Sequence, residues 1–469
     1  MKRIEAEMVA GAQVVLHQRS VMKKKVGFVQ FVAGAVVLVA IAGYLYGKRP
    51  IDGNPIPTLS PRNGDADASA EYLNAQKAVQ FYRDEIHKNP DAVKNYIELA
   101  QIFLQEARVT ATHHDYVPKA TSLLEEALKR DPDNFEALIT KASMLLTLHH
   151  FSEARDISEK ALRTNPYNAA CYSTLVDALV ESGEYDQAVT VCDKLMSVRP
   201  NLPGYARVSY LRELHGDTQG AKEAMEMAAD AGIYGQEQRA WALYNLGNLF
   251  LHEGKLDTAE FIYKGILEER SNYAYALSGL AHVRYAQRKS GEAVELLKTA
   301  YDLMPEHAFL EQLVDLYKAL DRKEEADKTI QRVLQEFKDH NVEGWNVARE
   351  YAMFAANQGI NLPEALSLAE SEYKSRPNNI EALQTYSWTL HKNGRSTQAL
   401  PYIERALRLG TQNAVLFYQT GVIYRAAGKV GQGNEYFHKA LTLSPRFHPL
   451  FADDARRELG LNSTIAYQN

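Results

Sequence analysis

Hydrophobic and polar positions divide this chain into two kinds of text. Val26 to Gly47 reads VGFVQFVAGAVVLVAIAGYLYG, with no charged side chain and Gln30 as its one strongly polar residue. At 1.5 Å per residue such a run spans roughly 30 Å, the thickness of a bilayer's hydrocarbon core. Lys23, Lys24 and Lys25 precede it and Lys48 and Arg49 follow, flanks that a buried core helix lacks. Tyr44 and Tyr46 stand at its far end, where amphipathic rings favour the membrane interface. The pattern predicts a transmembrane signal anchor over residues 26–47. From about residue 71 the text changes and begins to repeat.

The repeat is marked by an alanine twelve residues before a proline: Ala78–Pro90, Ala120–Pro132, Ala154–Pro166, Ala188–Pro200, Ala293–Pro305 and Ala365–Pro377. Gly433–Pro445 keeps the spacing with another small residue. Pro132, Pro166 and Pro200 lie 34 residues apart, the period of a helix–turn–helix unit. Glycine stands five residues before the small residue at Gly183, Gly216, Gly254, Gly394 and Gly428, where it would end the first helix of a pair. The small residue lets the second helix approach the first, and proline closes that second helix.

On these marks the chain resembles the tetratricopeptide repeat family. The pattern W-x2-L-G-x2-Y, A-x3-F and P is matched in degenerate form along residues 93–445. One good copy is Leu243, Leu246, Gly247, Phe250, Ala259 and Tyr263; another is Phe417, Gly421, Tyr424, Phe437, Ala440 and Pro445. The resemblance implies an all-α, right-handed superhelical solenoid of antiparallel helix pairs. The array is expected over residues 71–448, as one helix and about ten repeats. A capping helix and tail follow over 449–469, where Asp453, Asp454, Arg456 and Arg457 suit a solvent-facing end.

Residues 1–25 read as an N-terminal tail, either a short amphipathic helix or disordered. Residues 48–70 hold four prolines among Gly, Asn and Asp, which predicts an unpacked linker. Six extra residues around Val109–His114, the stretch Ala231–Arg239 and the longer turn Asn357–Pro363 break the register and are expected as loops. Six basic residues precede the anchor, and Lys48, Arg49 and Arg62 follow it, which favours a cytoplasmic N-terminus. The array would then face the periplasm from a bacterial inner membrane.

Charge and chemistry narrow the function. The net charge of -6 offers no basic surface for nucleic acid. Cys171 and Cys192 fit neither a disulfide framework nor a zinc site, and read as two buried thiols. No zincin, phosphate-loop, nucleophile-elbow or dinucleotide signature occurs, so neither enzyme activity nor a cofactor is expected. His113–His114 and His149–His150 fall at turns and could approach each other, but lack the partners of a metal site.

The resemblance implies that first helices line a concave face. Helical geometry then places Trp241, Tyr244 and Asn248 there, followed by Tyr275, Ser278, His282 and Tyr285, and farther on Phe354, Trp388, His391 and Tyr418. Aromatic rings in a groove suit peptide segments of protein partners, although each could serve ordinary packing between first helices. A clamp for chaperone tails is disfavoured, because Tyr244, Gly279 and Leu313 occupy the Lys, Asn and Arg places. The expectation is a membrane-tethered scaffold or adaptor for a cell-envelope complex. The alternatives are an accessory subunit of polysaccharide or lipid export, or a targeting receptor on an organelle membrane.

Overall fold

A computed structural model of the chain describes residues 56–62 and 70–461. The expected tail at 1–25, the anchor at 26–47, most of the linker and residues 462–469 lie outside the described residues. Among the described residues no helix is long and apolar enough to cross a membrane. The chain divides into two units, Met1–Leu59 and Ser60–Asn469, and the second holds every helix described.

Among the described residues there are twenty-two helices and no strand. The first, α1 (Ala70–Lys88), stands alone. Ten antiparallel pairs follow: α2 (Val93–Thr110) with α3 (His113–Arg130), α4 (Phe135–Thr147) with α5 (Phe151–Thr164), α6 (Ala169–Ser182) with α7 (Tyr185–Val198), α8 (Leu202–Leu214) with α9 (Thr218–Asp230), and α10 (Glu237–His252) with α11 (Leu256–Glu269). The series continues with α12 (Ala274–Ala286) and α13 (Ser290–Leu303), α14 (His307–Ala319) and α15 (Lys323–Val342), α16 (Ala348–Gln358) and α17 (Leu362–Ser375), α18 (Ile380–Lys392) and α19 (Ser396–Ala406), and α20 (Ala414–Ala426) and α21 (Val430–Leu443). A last helix, α22 (Phe451–Glu458), closes the series.

Local chemistry explains the boundaries. Asn134, Asn168, Asn201, Asn379 and Asn413 cap first helices, each side chain accepting a backbone N–H two or three residues ahead. Ala120, Ala154, Ala188, Ala293, Ala365 and Ala399 are fully buried on second helices, where the two helices of a pair approach most closely. At Gly247 and Gly279 the approach is closer still. A Cβ on either would sit 2.4 or 2.5 Å from the Tyr263 ring, which therefore wedges between α10 and α12.

The solenoid returns on itself, and turns of its second half lie on turns of its first. Arg270 pairs with Glu71 at 2.7 Å, Asn346 N–H donates to Leu148 O at 3.0 Å, and Arg376 pairs with Glu181 at 3.0 Å. Asn379 donates to Glu181 O at 3.1 Å, Ile380 N–H to the Tyr185 hydroxyl at 2.9 Å, and Thr411 to Leu214 O. The partners are 195 to 199 residues apart, roughly six 34-residue periods. One superhelical turn therefore takes just under six pairs. The seam between turns is built largely from carbonyls, amides and ion pairs, with Ile380 and Leu409 packing into the apolar cluster around Leu175 and Leu179.

Three expectations from the sequence need correction. The extra residues around Val109–His114 do not form a loop: they lengthen α2 and α3 to 18 residues each and leave only Ala111 and Thr112 between. The turn near Asn357–Pro363 is likewise short, with Gly359 in the left-handed conformation capping α16. The added length is spent in the 20-residue α15 and the following Glu343–Val347 segment. The linker is not wholly unpacked either. Arg62 is buried, hydrogen-bonded twice to Glu106 and once to Glu71, and Tyr72 donates to Ser60 O at 2.9 Å. Two carboxylates satisfy its charge, so this end of a proline-rich segment can be held in place. The extra stretch after α9 does form a loop, Ala231–Gln236, with Ile233 and Tyr234 exposed at its tip.

Candidate functional site

First helices of neighbouring pairs pack on one another, α4 with α6, α10 with α12, α16 with α18, so they line the inner face of the solenoid. The open aromatic part lies on α10 and α12. Trp241 keeps 37% of its surface exposed. Tyr244 and Tyr275 are half-buried and tilt against each other with ring centroids 5.4 Å apart. Tyr275 also meets Phe309 edge-on at 5.7 Å. Asn248 accepts a hydrogen bond from the Tyr263 hydroxyl at 2.7 Å, which fixes the ring between the helices. His282 retains exposed surface on the inner face.

Five residues expected in the groove are not open to a partner, among them Ser278, which is buried and donates to Gln312 at 2.9 Å. Tyr285 is buried and donates to Pro449 O at 3.3 Å. Trp388 is 3% exposed, donates from Nε1 to Asn357 at 2.8 Å and stacks on His391. Tyr418 lies flat on Phe451 of α22 at 4.6 Å and donates to Asp454 at 2.6 Å. Their aromatic area is satisfied within the chain, because the segment from Phe447 to Glu458 covers the last pairs. Phe354 is also buried, packed against Phe337.

A second, polar stretch of the inner face was missed in the sequence. Arg207 on α8 pairs with Asp177 on α6, Arg349 on α16 pairs with Glu350 and with Glu381 on α18, and Glu181 on α6 pairs with Arg376, with Tyr210 on α8 near these carboxylates. Burial raises the Asp177 pKa against the pull of Arg207. Burial and then the Glu381 charge push Glu181 up to about 7, with Arg376 and Arg349 opposing. Burial works against the charge of Arg349, but Glu381, Glu350 and Glu181 outweigh it and hold the guanidinium ionised. The signal was positional: Asp177 and Tyr210 are the ninth residues of their helices, as His282 is of α12.

Two cavities adjoin the seam. One of about 340 Å³ is lined by Arg62, Tyr116, Glu237, Arg270, Tyr273 and Met304. Its charges are matched internally, Arg62 and Arg270 by Glu71 and Glu237 by Arg108. The other, about 170 Å³, lies among His149, Asp177, Glu181, Arg349 and Glu350. The two histidine pairs do come near each other: His113 and His149 both contact Trp345. Among the described residues no group of three or more His, Cys, Asp or Glu is arranged to hold a metal. Cys171 and Cys192 are separate buried thiols, and burial pushes each up to about 11.

Comparison with known proteins agrees with this architecture. The tetratricopeptide repeat family model matches residues 145–212. Cellulose synthase operon protein C of Pseudomonas fluorescens (strain SBW25) is 26% identical over 186 residues, 37% of this chain and 14% of that protein. The Vi polysaccharide export protein VexE of Salmonella typhi is 26% identical over 116 residues, 24% of this chain and 17% of that one. A solved thermophilic TPR protein of Thermus thermophilus shares 24% identity with a TM-score of 0.35, over 42% of this chain and 98% of its own. The chain thus spans less than a fifth of these two curated relatives. The described residues form an all-helical solenoid, of which residues 145–212 match the tetratricopeptide repeat model.

Proposed function

We propose that this chain is a membrane-tethered scaffold that holds protein partners on the inner face of α10 and α12. The observation that carries the reading is the open aromatic step made by Trp241, Tyr244 and Tyr275. A part-exposed, mutually tilted set of rings offers apolar area with polar edges, the composition that dominates binding energy at protein interfaces. Residues 26–47 would tether the array to a bacterial inner membrane, and the excess of basic residues before them would place it in the periplasm. Partners there would be subunits of a cell-envelope complex.

Two experiments test these parts separately. Replacing Trp241 and Tyr244 together by alanine should lower partner capture by the full chain at least about tenfold, since interface aromatics each contribute on the order of 2 kcal/mol. Helicity by circular dichroism should stay unchanged, and undiminished capture by the folded variant contradicts the site. Protease added to intact spheroplasts should digest the array; an array that survives until lysis contradicts the periplasmic placement.

A second reading is that the array serves a polysaccharide export system. It is favoured by the two relatives whose names refer to cellulose synthesis and Vi polysaccharide export. The part-exposed faces of Trp241 and the tilted Tyr244 and Tyr275 would hold sugar rings as well as peptides. Capture of glycan in place of protein by the same Trp241 and Tyr244 surface would select this reading.

A further inference from the structure

The seam between superhelical turns is richest in histidine at one place, where Glu343–Val347 rests on the turn between α4 and α5. Asn346 N–H donates to Leu148 O at 3.0 Å. His149 Nδ1 lies 3.1 Å from Asn346 O, and His150 Nε2 lies 2.7 Å from Gly344 O. A carbonyl oxygen can only accept, so both ring nitrogens donate and both tautomers are set by the contact. The rings of His113, His149 and His340 surround Trp345 with centroids 4.8, 5.8 and 5.4 Å away. His149 itself has φ of 60°, a left-handed conformation that a non-glycine residue keeps only where its surroundings hold it. Among the described residues, neither His113 Nδ1 nor His340 Nδ1 has a hydrogen-bond partner, although both atoms are buried.

We propose that this contact is a proton-sensitive latch: histidine protonation releases Glu343–Val347 from the α4–α5 turn and loosens the two superhelical turns there.

The charges around each ring explain the direction. A second proton on His149 would add a cation facing Arg349 and Arg376, with Glu350 at 3.8 Å as its carboxylate partner and Phe151 stacked beside it. His340 faces His307, Glu306, His113 and Asp339. Burial works against the charge of His307, but Glu311 at 2.8 Å raises its pKa, so a proton on His340 meets a neighbour that is readily charged. Burial lowers His149 and brings His340 down to about 4. Once released, both rings return toward the ordinary value of about 6.5, so the open form binds more protons. Acid therefore favours opening as pH falls from about 6.5 toward 4. Glu343 works in the opposite sense, its carboxyl raised by burial. His307, raised beside Glu311, works in the same sense as Glu343, while the carboxyls of Glu306 and Glu350, which are held low, side with His149 and His340.

Hydrogen exchange of the full chain at pH 7.5 and about pH 5, corrected for intrinsic chemical rates, tests the latch. Residues 343–347, read at the Asn346 N–H that donates to Leu148 O, should lose protection about tenfold or more at the lower pH, while the Ile380 N–H that donates to the Tyr185 hydroxyl elsewhere on the seam changes less than about twofold. A double variant, His149→Gln with His340→Gln, keeps a donor at position 149 and cannot charge; it should remain protected at both pH values. Equal protection of wild-type residues 343–347 at the two pH values overturns the proposal, as does equal loosening in the folded double variant. Should the variant not fold, the wild-type profile decides: loosening that develops from pH 6.5 downward supports histidine control, and loosening that starts only below about pH 4 overturns it.

Discussion

Gly183 and Gly394 occupy equivalent turn positions with φ of 80° and 76°, yet their surroundings differ. A Cβ at Gly183 would meet the backbone of Asn378 and Asn379 at 2.4 Å, whereas nothing lies within 4 Å of one at Gly394. Alanine at position 394 bears only the left-handed strain, about 1 kcal/mol. At position 183 it also forces the superhelical turns apart, adding a further 1–3 kcal/mol or so. Urea midpoints should therefore fall clearly more for Gly183→Ala than for Gly394→Ala; equal falls would contradict the seam. The glycine marks were legible as turn formers, since their period is local. That some of them also receive a distant backbone was not, because the facing groups are main-chain carbonyls and amides. Those carry no side-chain signature in sequence.

At the scale of helices, the asparagine caps separate local from long-range work. Asn134 caps α4 and bonds only its own neighbourhood, Ala137 N–H and Asp131. Asn379 caps α18 and also donates to Val180 and Glu181 carbonyls across the seam. Asn134→Ala should cost about 1 kcal/mol by thermal or urea unfolding. Asn379→Ala should cost roughly twice that or more, because buried carbonyls lose their donor. Matching losses would mean that the seam bonds contribute nothing. Helix boundaries followed from proline and small-residue spacing wherever the 34-residue period held. They were misjudged near Thr110 and Asn357 because added residues extended helices already under way: continuing a helix gains one hydrogen bond for each residue ordered, which a new loop does not.

For the whole molecule, the periodic marks showed which faces of the helices touch but not how far the solenoid winds before it meets itself. That depends on small rotations summed over nearly six pairs, and no single residue encodes them. The candidate site was legible to the same extent. Trp241, Tyr244, Tyr275 and His282 have free or part-free surface, while Tyr285, Trp388 and Tyr418 carry the same helical spacing and are covered by the C-terminal segment. Position on a first helix selects the inner face; only the path of residues 447–458 decides which rings remain open.

The most direct measurement of the central claim is site-specific photo-crosslinking in the producing cell. A benzophenone amino acid is placed at Trp241 on the inner face, or at Phe261, which is 78% exposed on a second helix. A discrete adduct to a partner is expected from position 241 and none of comparable yield from position 261. Adducts only from position 261, or equal yields from both, would contradict binding on the inner face.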